Sequence, residues 1–134
     1  MNLDFAFFAS HGEVYPDGLF SVIGGGITQF TVTALPAVTQ SLVLMARVHF
    51  EQKECETEYV CAAKVMSPSG RALEPALQIT MKTTKQAFPT FTLLYRYNGF
   101  RFIEAGVYRF SLFVGETHVG DAALEVLAPI EAVQ

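Results

Sequence analysis

The chain has no tryptophan, only two cysteines and three histidines in 134 residues, and just 16% of it is charged. Two cysteines are too few for a small disulfide-built scaffold or a four-cysteine zinc site. A chain of this length needs neither, because folding buries roughly two thirds of the surface its unfolded form exposes. The first apolar run, Phe5 to Ala9, has no basic residue before it and is too short for a signal peptide or a membrane span. The protein is therefore expected in the cytosol, with Cys55 and Cys61 as reduced thiols. The net charge of -4 favours solubility and argues against nucleic acid or an anionic membrane as partner.

What the chain does have is apolar content, 51% of residues, which excludes disorder. With so few charges to cover the surface, a partner is expected to cover part of it. The apolar residues recur with a period of two. Ala76 to Thr84 sets Leu77, Ile79 and Met81 against Gln78, Thr80 and Lys82, the pattern of a half-buried strand. Val107 to Val114 repeats it with Tyr108, Phe110, Leu112 and Val114 opposite Arg109 and Ser111.

Further strands are read at Leu3 to Ala9, Leu19 to Ile23, Ile27 to Thr33, Glu58 to Met66, Thr90 to Tyr97 and Val119 to Leu127. Turns fall at Pro16-Asp17-Gly18 and Pro68-Ser69-Gly70. Gly24-Gly25-Gly26 is read as a bulge, or as a corner between sheets. Cys61 is in phase with Tyr59, Ala63 and Val65 as a small core residue, whereas Cys55 sits in a charged connection with Glu51, Lys53, Glu54 and Glu56. Ser41 to Phe50 is apolar on both faces. As a strand it buries Leu42, Leu44, Ala46, Val48 and Phe50 and also presents Val43 and Met45, so it is either a central strand covered on both sides or an interface. A helix is the rival reading, since Leu42, Met45, Ala46, His49 and Phe50 share a helical stripe; the strand is preferred.

Asn98-Gly99 is the strongest hairpin signal. It pairs Tyr97 with Phe100 and Tyr95 with Phe102, and brings Arg96 against Arg101; the short second arm leaves an irregular loop as the alternative. A second hairpin turns at Gly115-Glu116, where a loop of odd length keeps Tyr108, Phe110 and Leu112 on one side with Ala122, Leu124 and Val126. Arg109 then lies opposite or diagonal to Glu125. About eight or nine strands imply an all-β protein, a single domain over residues 1–134 built as a two-sheet antiparallel sandwich of immunoglobulin-like type. Gly106-Val107-Tyr108 has the look of a tyrosine corner, but the Cys, Trp and Cys landmarks of true immunoglobulin domains are missing.

From Asp17 through Ile23-Gly24-Gly25-Gly26 to Thr28, and again at Gly106-Val107-Tyr108-Arg109-Phe110, the sequence resembles a family of small bacterial proteins of unknown function. Its members share an early strand ending in Ile-Gly-Gly-Gly and a late Gly-x-Tyr-x-Phe strand. The resemblance covers nearly the whole chain and implies a bacterial or phage source and one β-sandwich domain, with no activity attached. Ala105 stands where that pattern has a proline.

No catalytic, metal or cofactor motif is present. The three glycines are followed by Ile27-Thr28-Gln29-Phe30, a strand, so they lack the helix of a phosphate cradle. His11, His49 and His118 have no ligand spacing. The chemistry concentrates in Leu94 to Phe102. There the facing Arg96 and Arg101 call for an anion, either Glu104, a partner's carboxylate or a phosphate, and Tyr95, Tyr97, Phe100 and Phe102 either stack bases or fill the core. The expected function is that of a non-enzymatic interaction or structural module contacting a protein partner or itself, with Val43 and Met45 and the tract Tyr95, Arg96, Tyr97, Arg101 and Phe102 as contact candidates. The alternative is a binder of a small anionic ligand or nucleotide through the aromatic and arginine surface.

Overall fold

The computed structural model describes residues 1–128, the side chain of Pro75 excepted. The expected domain of residues 1–134 thus extends beyond the described residues at 129–134. Twelve strands occur among the described residues: β1 (Asn2–Ala9), β2 (His11–Val14), β3 (Phe20–Ile23), β4 (Gln29–Thr31), β5 (Ala37–Val38), β6 (Val43–His49), β7 (Glu58–Met66), β8 (Ala72–Lys82), β9 (Thr90–Arg96), β10 (Arg101–Phe102), β11 (Gly106–Val114) and β12 (Thr117–Leu127). The chain is all-β, with one 3-10 turn at Gln52–Glu54. Among the described residues no helix is long and apolar enough to cross a membrane.

A three-stranded sheet runs β1-β6-β9 and a five-stranded sheet runs β4-β12-β11-β7-β8, with the small ribbons β2-β3 and β5-β10 beside them. The alternation in β11 explains how the two larger sheets meet. Tyr108, Phe110, Leu112 and Val114 are buried, while Val107 and Arg109 are exposed. The buried set faces Leu44, Ala46, Val48, Leu93 and Tyr95 of the smaller sheet in one core cluster. Phe8 of β1 meets Phe110 edge to face at 4.8 Å, an arrangement that aromatic pairs prefer. The Tyr95 hydroxyl crosses the core to donate to the Cys61 carbonyl at 2.8 Å.

Ser41 to Phe50 forms a strand, β6, and the reason its pattern resembles a helix is now plain. Leu44, Ala46 and Val48 face the core, while Val43 and Met45 lie under the β2-β3 ribbon, where a Cβ on Gly12 would come within 3.2 Å of the Met45 methyl. A strand covered on both faces loses its period of two. The partner over Val43 and Met45 is thus another part of the same chain. Gly24 and Gly26 take positive φ, 65° and 88°, and the chain there leaves the β2-β3 ribbon for β4 of the large sheet, which is a corner.

Three expectations need correction. The strand count is higher because β2 and β5, of four and two residues, are too short to show a period. The Asn98-Gly99 hairpin does not form: the turn is present, with Gly99 at φ 76°, but its arms part. β9 is committed to β6, and β10 pairs with β5. Between them Ala37 to Thr39 intervenes, Thr39 donating to the Phe100 carbonyl and accepting from the Gly99 N–H. The Gly115-Glu116 loop has two residues rather than an odd number. A bulge at Val119 supplies the missing residue, since Leu112 pairs with Gly120 and Phe113 with His118. Phase is restored, and Arg109, opposite Ala123, is diagonal to Glu125.

Cys55 follows the 3-10 turn yet is buried in the core with Cys61, and both thiols are free. Burial pushes the Cys61 thiol up to about 11. The core thus favours the protonated form, and the stability this confers is kept below the ordinary thiol range and lost as pH climbs towards 11. Iodoacetamide at neutral pH is expected to leave both cysteines intact in the folded protein and to alkylate both in denaturant, as read by intact mass. A fast-reacting thiol in the native state would contradict this burial.

Candidate functional site

Of the seven contact candidates, five are interior. Val43 and Met45 are 3% and 0% exposed, and Tyr95, Tyr97 and Phe102 are 2%, 5% and 1% exposed. The aromatic tract is core because β9 and β10 turn those side chains between the sheets. Tyr97 packs edge to face on Phe110 at 5.2 Å, and Phe102 on Tyr108 at 5.0 Å. These rings present no face to a base. Burial raises the phenol pKa of both Tyr95 and Tyr97, with the neighbouring Cys61 and Tyr97 adding to the effect at Tyr95. Neither phenol ionises near neutrality, and the Tyr97 hydroxyl has no hydrogen-bond partner.

Arg96 and Arg101 are exposed. They do not face each other across a ladder, but both border one concavity of about 340 Å³, floored by Leu73, Leu77 and Phe100 and carrying Glu74. Arg96 also borders a second concavity of about 450 Å³ with His11, Glu13, Tyr15 and Ser41. Its guanidinium donates to the Gly12 carbonyl at 3.2 Å. Among the described residues the ion pairs are Met1 with Glu54, Lys53 with Glu51 and His118 with Asp121, so neither arginine has a carboxylate within pairing distance. Glu104, expected as their counter-charge, instead accepts from the Ser69 hydroxyl at 2.7 Å.

The histidines lie apart, on β2, at the end of β6 and on β12. Among the described residues no group of three or more His, Cys, Asp or Glu is placed to hold a metal. His118 stacks on Phe113 at 4.9 Å and contacts Asp121 at 2.7 Å. Burial opposes ionisation of Asp121, yet hydrogen bonds from Ser111 and His118 and the charges of His118 and Arg109 hold its carboxyl below the usual carboxylate range.

What sequence reasoning missed is the open side of the molecule. β8 and β9 are the end strands of the two larger sheets, each paired on one edge only among the described residues, and they approach each other across the core. The opposite side is laced shut, because Ile27 bridges to Phe8 and β4 pairs with β12. Pro75, inside β8, carried the signal: a residue without an N–H is tolerated only at an edge or a bulge.

The Tyr108 hydroxyl donates to the Glu104 carbonyl at 2.7 Å and accepts from the Glu104 N–H at 3.2 Å, the geometry expected at Gly106-Val107-Tyr108. No curated protein matches this chain. The model of a family of unknown function, DUF6941, matches residues 4–127, nearly the whole of the described chain, and the protein therefore belongs to that family.

Proposed function

We propose that this protein is a non-enzymatic interaction module: an immunoglobulin-like two-sheet sandwich of the cytosol that contacts other polypeptides along the open side formed by β8 and β9. The observation that carries this reading is the pair of one-sided edge strands lying together on one flank, since an unpaired edge is a template for another strand. The sparse charge of the surface supports it, as do exposed apolar side chains such as Phe88, 76% exposed. The contact surface is assigned to this flank because Val43 and Met45 are already covered.

The test compares the protein with its Thr80→Pro variant as bait in a bacterial lysate, the source being the one the Ile-Gly-Gly-Gly resemblance implies. Both baits are first checked for equal melting temperature. Polypeptides, or further copies of the chain itself, retained by the parent and lost by the variant are expected; identical retention by both baits, or no retention together with no self-association, sinks the reading.

One observation favours a second reading, a small anionic ligand: Arg96 and Arg101 border the same concavity without a carboxylate in pairing distance. Inorganic phosphate or ATP should then raise the melting temperature, and Arg96→Ala with Arg101→Ala should abolish the rise. Both side chains are exposed, so the unliganded variant should melt within about 2 °C of the parent. If neither probe shifts the parent, this second reading fails.

A further inference from the structure

We infer that the open edge of β8 pairs antiparallel with the same edge of a second copy, about a two-fold axis at Ile79. This rests on the reading of the β8 and β9 flank as the contact surface and names its partner. The direction of the backbone groups comes first. The Gly115 N–H donates to the Val60 carbonyl at 2.9 Å, from the β11 side of β7. In an antiparallel strand the N–H and C=O of one residue point the same way, and successive residues alternate. Val60 and Ala62 therefore serve β11, while Tyr59, Cys61 and Ala63 serve β8. Their partners Met81, Ile79 and Leu77 bond inward, which leaves the N–H and C=O of Gln78, Thr80 and Lys82 aimed at the open edge.

The length of the free segment fixes the register. At one end the ladder slips between Ala63 and Val65, which pair with Leu77 and Leu73, and Pro75 lies in that slip. At the other end β8 stops at Lys82. Seven residues, Ala76 to Lys82, remain regular, and their midpoint is Ile79.

In the resulting pair Gln78 meets the second copy's Thr80, and Leu77 meets its Met81. Core-facing residues thus meet core-facing residues, as a continuous sheet requires. Leu77 and Ile79 are only half-buried and line two concavities on the open flank. A second strand beside them continues the apolar face that β8 leaves unfinished.

A ladder of this length is a small interface, so association at micromolar to submillimolar concentration is expected rather than an obligate dimer. Sedimentation velocity should show the mass rising from 14.7 kDa towards twice that value as concentration increases. Thr80→Pro removes an edge N–H that the monomer leaves unused and should hold the protein at the monomer mass. At the axis the two Ile79 residues form a non-hydrogen-bonded pair with Cα atoms about 4.5 Å apart, within disulfide range. Ile79→Cys should therefore give a covalent dimer on oxidation, whereas Leu77→Cys, on the same face but opposite Met81, should not.

A monomer at every concentration overturns the inference, as does equal cross-linking by the two cysteine variants. A parent that stays monomeric while Thr80→Pro loses a lysate partner overturns self-pairing alone and leaves the interaction reading standing. Failure of both assays removes both.

Discussion

Phe110→Ala is expected to lower the free energy of unfolding by about 3–5 kcal/mol, the range for deleting a buried aromatic ring. Phe110 is 0% exposed, and its ring joins parts of the molecule distant in sequence. It contacts Phe8 of β1 at 4.8 Å, Tyr97 at 5.2 Å and Phe100 at 6.1 Å. The neighbours that would have to close the gap are themselves aromatic and held elsewhere: Tyr97 through its N–H to the Leu42 carbonyl, and Phe100 through its carbonyl to Thr39. Rigid rings cannot flow into a vacated site, so the cavity term adds to the lost transfer energy and places the cost towards the top of the range. Domains of this kind hold only about 5–15 kcal/mol in total, so the variant should be close to unfolding at physiological temperature. Urea unfolding followed by circular dichroism checks this. A loss under about 1 kcal/mol, typical of a surface site, would mean that the sheets do not meet through this ring.

The fold was most legible where a strand buries one face. β7, β8, β11 and β12 alternate because the large sheet has one side in the core and one in water, and their positions follow from that period alone. β6 was ambiguous for the opposite reason: both its faces are covered. The cover comes from β2, which reads His11-Gly12-Glu13-Val14 and gives no periodic signal of its own. Asn98-Gly99 shows a different limit. Turn chemistry is local, and the turn is there; the choice of partner strand is not local, and β6 and β5 won the arms.

The candidate site was legible in part for the same reason. Arg96 and Arg101 do share a surface, but through the concavity beside Leu73 and Leu77 rather than through a ladder. The aromatics between them belong to the core, where composition alone would have placed most of them. Edge status depends on which strands end up without neighbours, which is a property of the whole topology, and Pro75 was its one local mark.

The second large effect is expected at the start of β11. Gly106 has φ 128°, a conformation that side chains rarely adopt, and a Cβ there would stand 2.7 Å and 2.9 Å from two ring carbons of Pro68. Gly106→Ala must strain the backbone and push the strand off the β7-β8 turn, and the two costs together come to about 4 kcal/mol. Tyr108→Phe removes the hydroxyl that both donates to and accepts from the backbone of Glu104, at about 1–3 kcal/mol for the polar groups left unpaired. The same two-residue step that brings β11 against Pro68 also aims Tyr108 back at Glu104, so the two substitutions should be coupled. Once alanine has displaced the strand, the hydroxyl no longer reaches its partners and its removal costs little more. Urea unfolding of both single variants and the double variant measures this: a double-variant loss well below the sum is expected. Strict additivity would mean that Gly106 serves only the contact with Pro68 and plays no part in placing Tyr108.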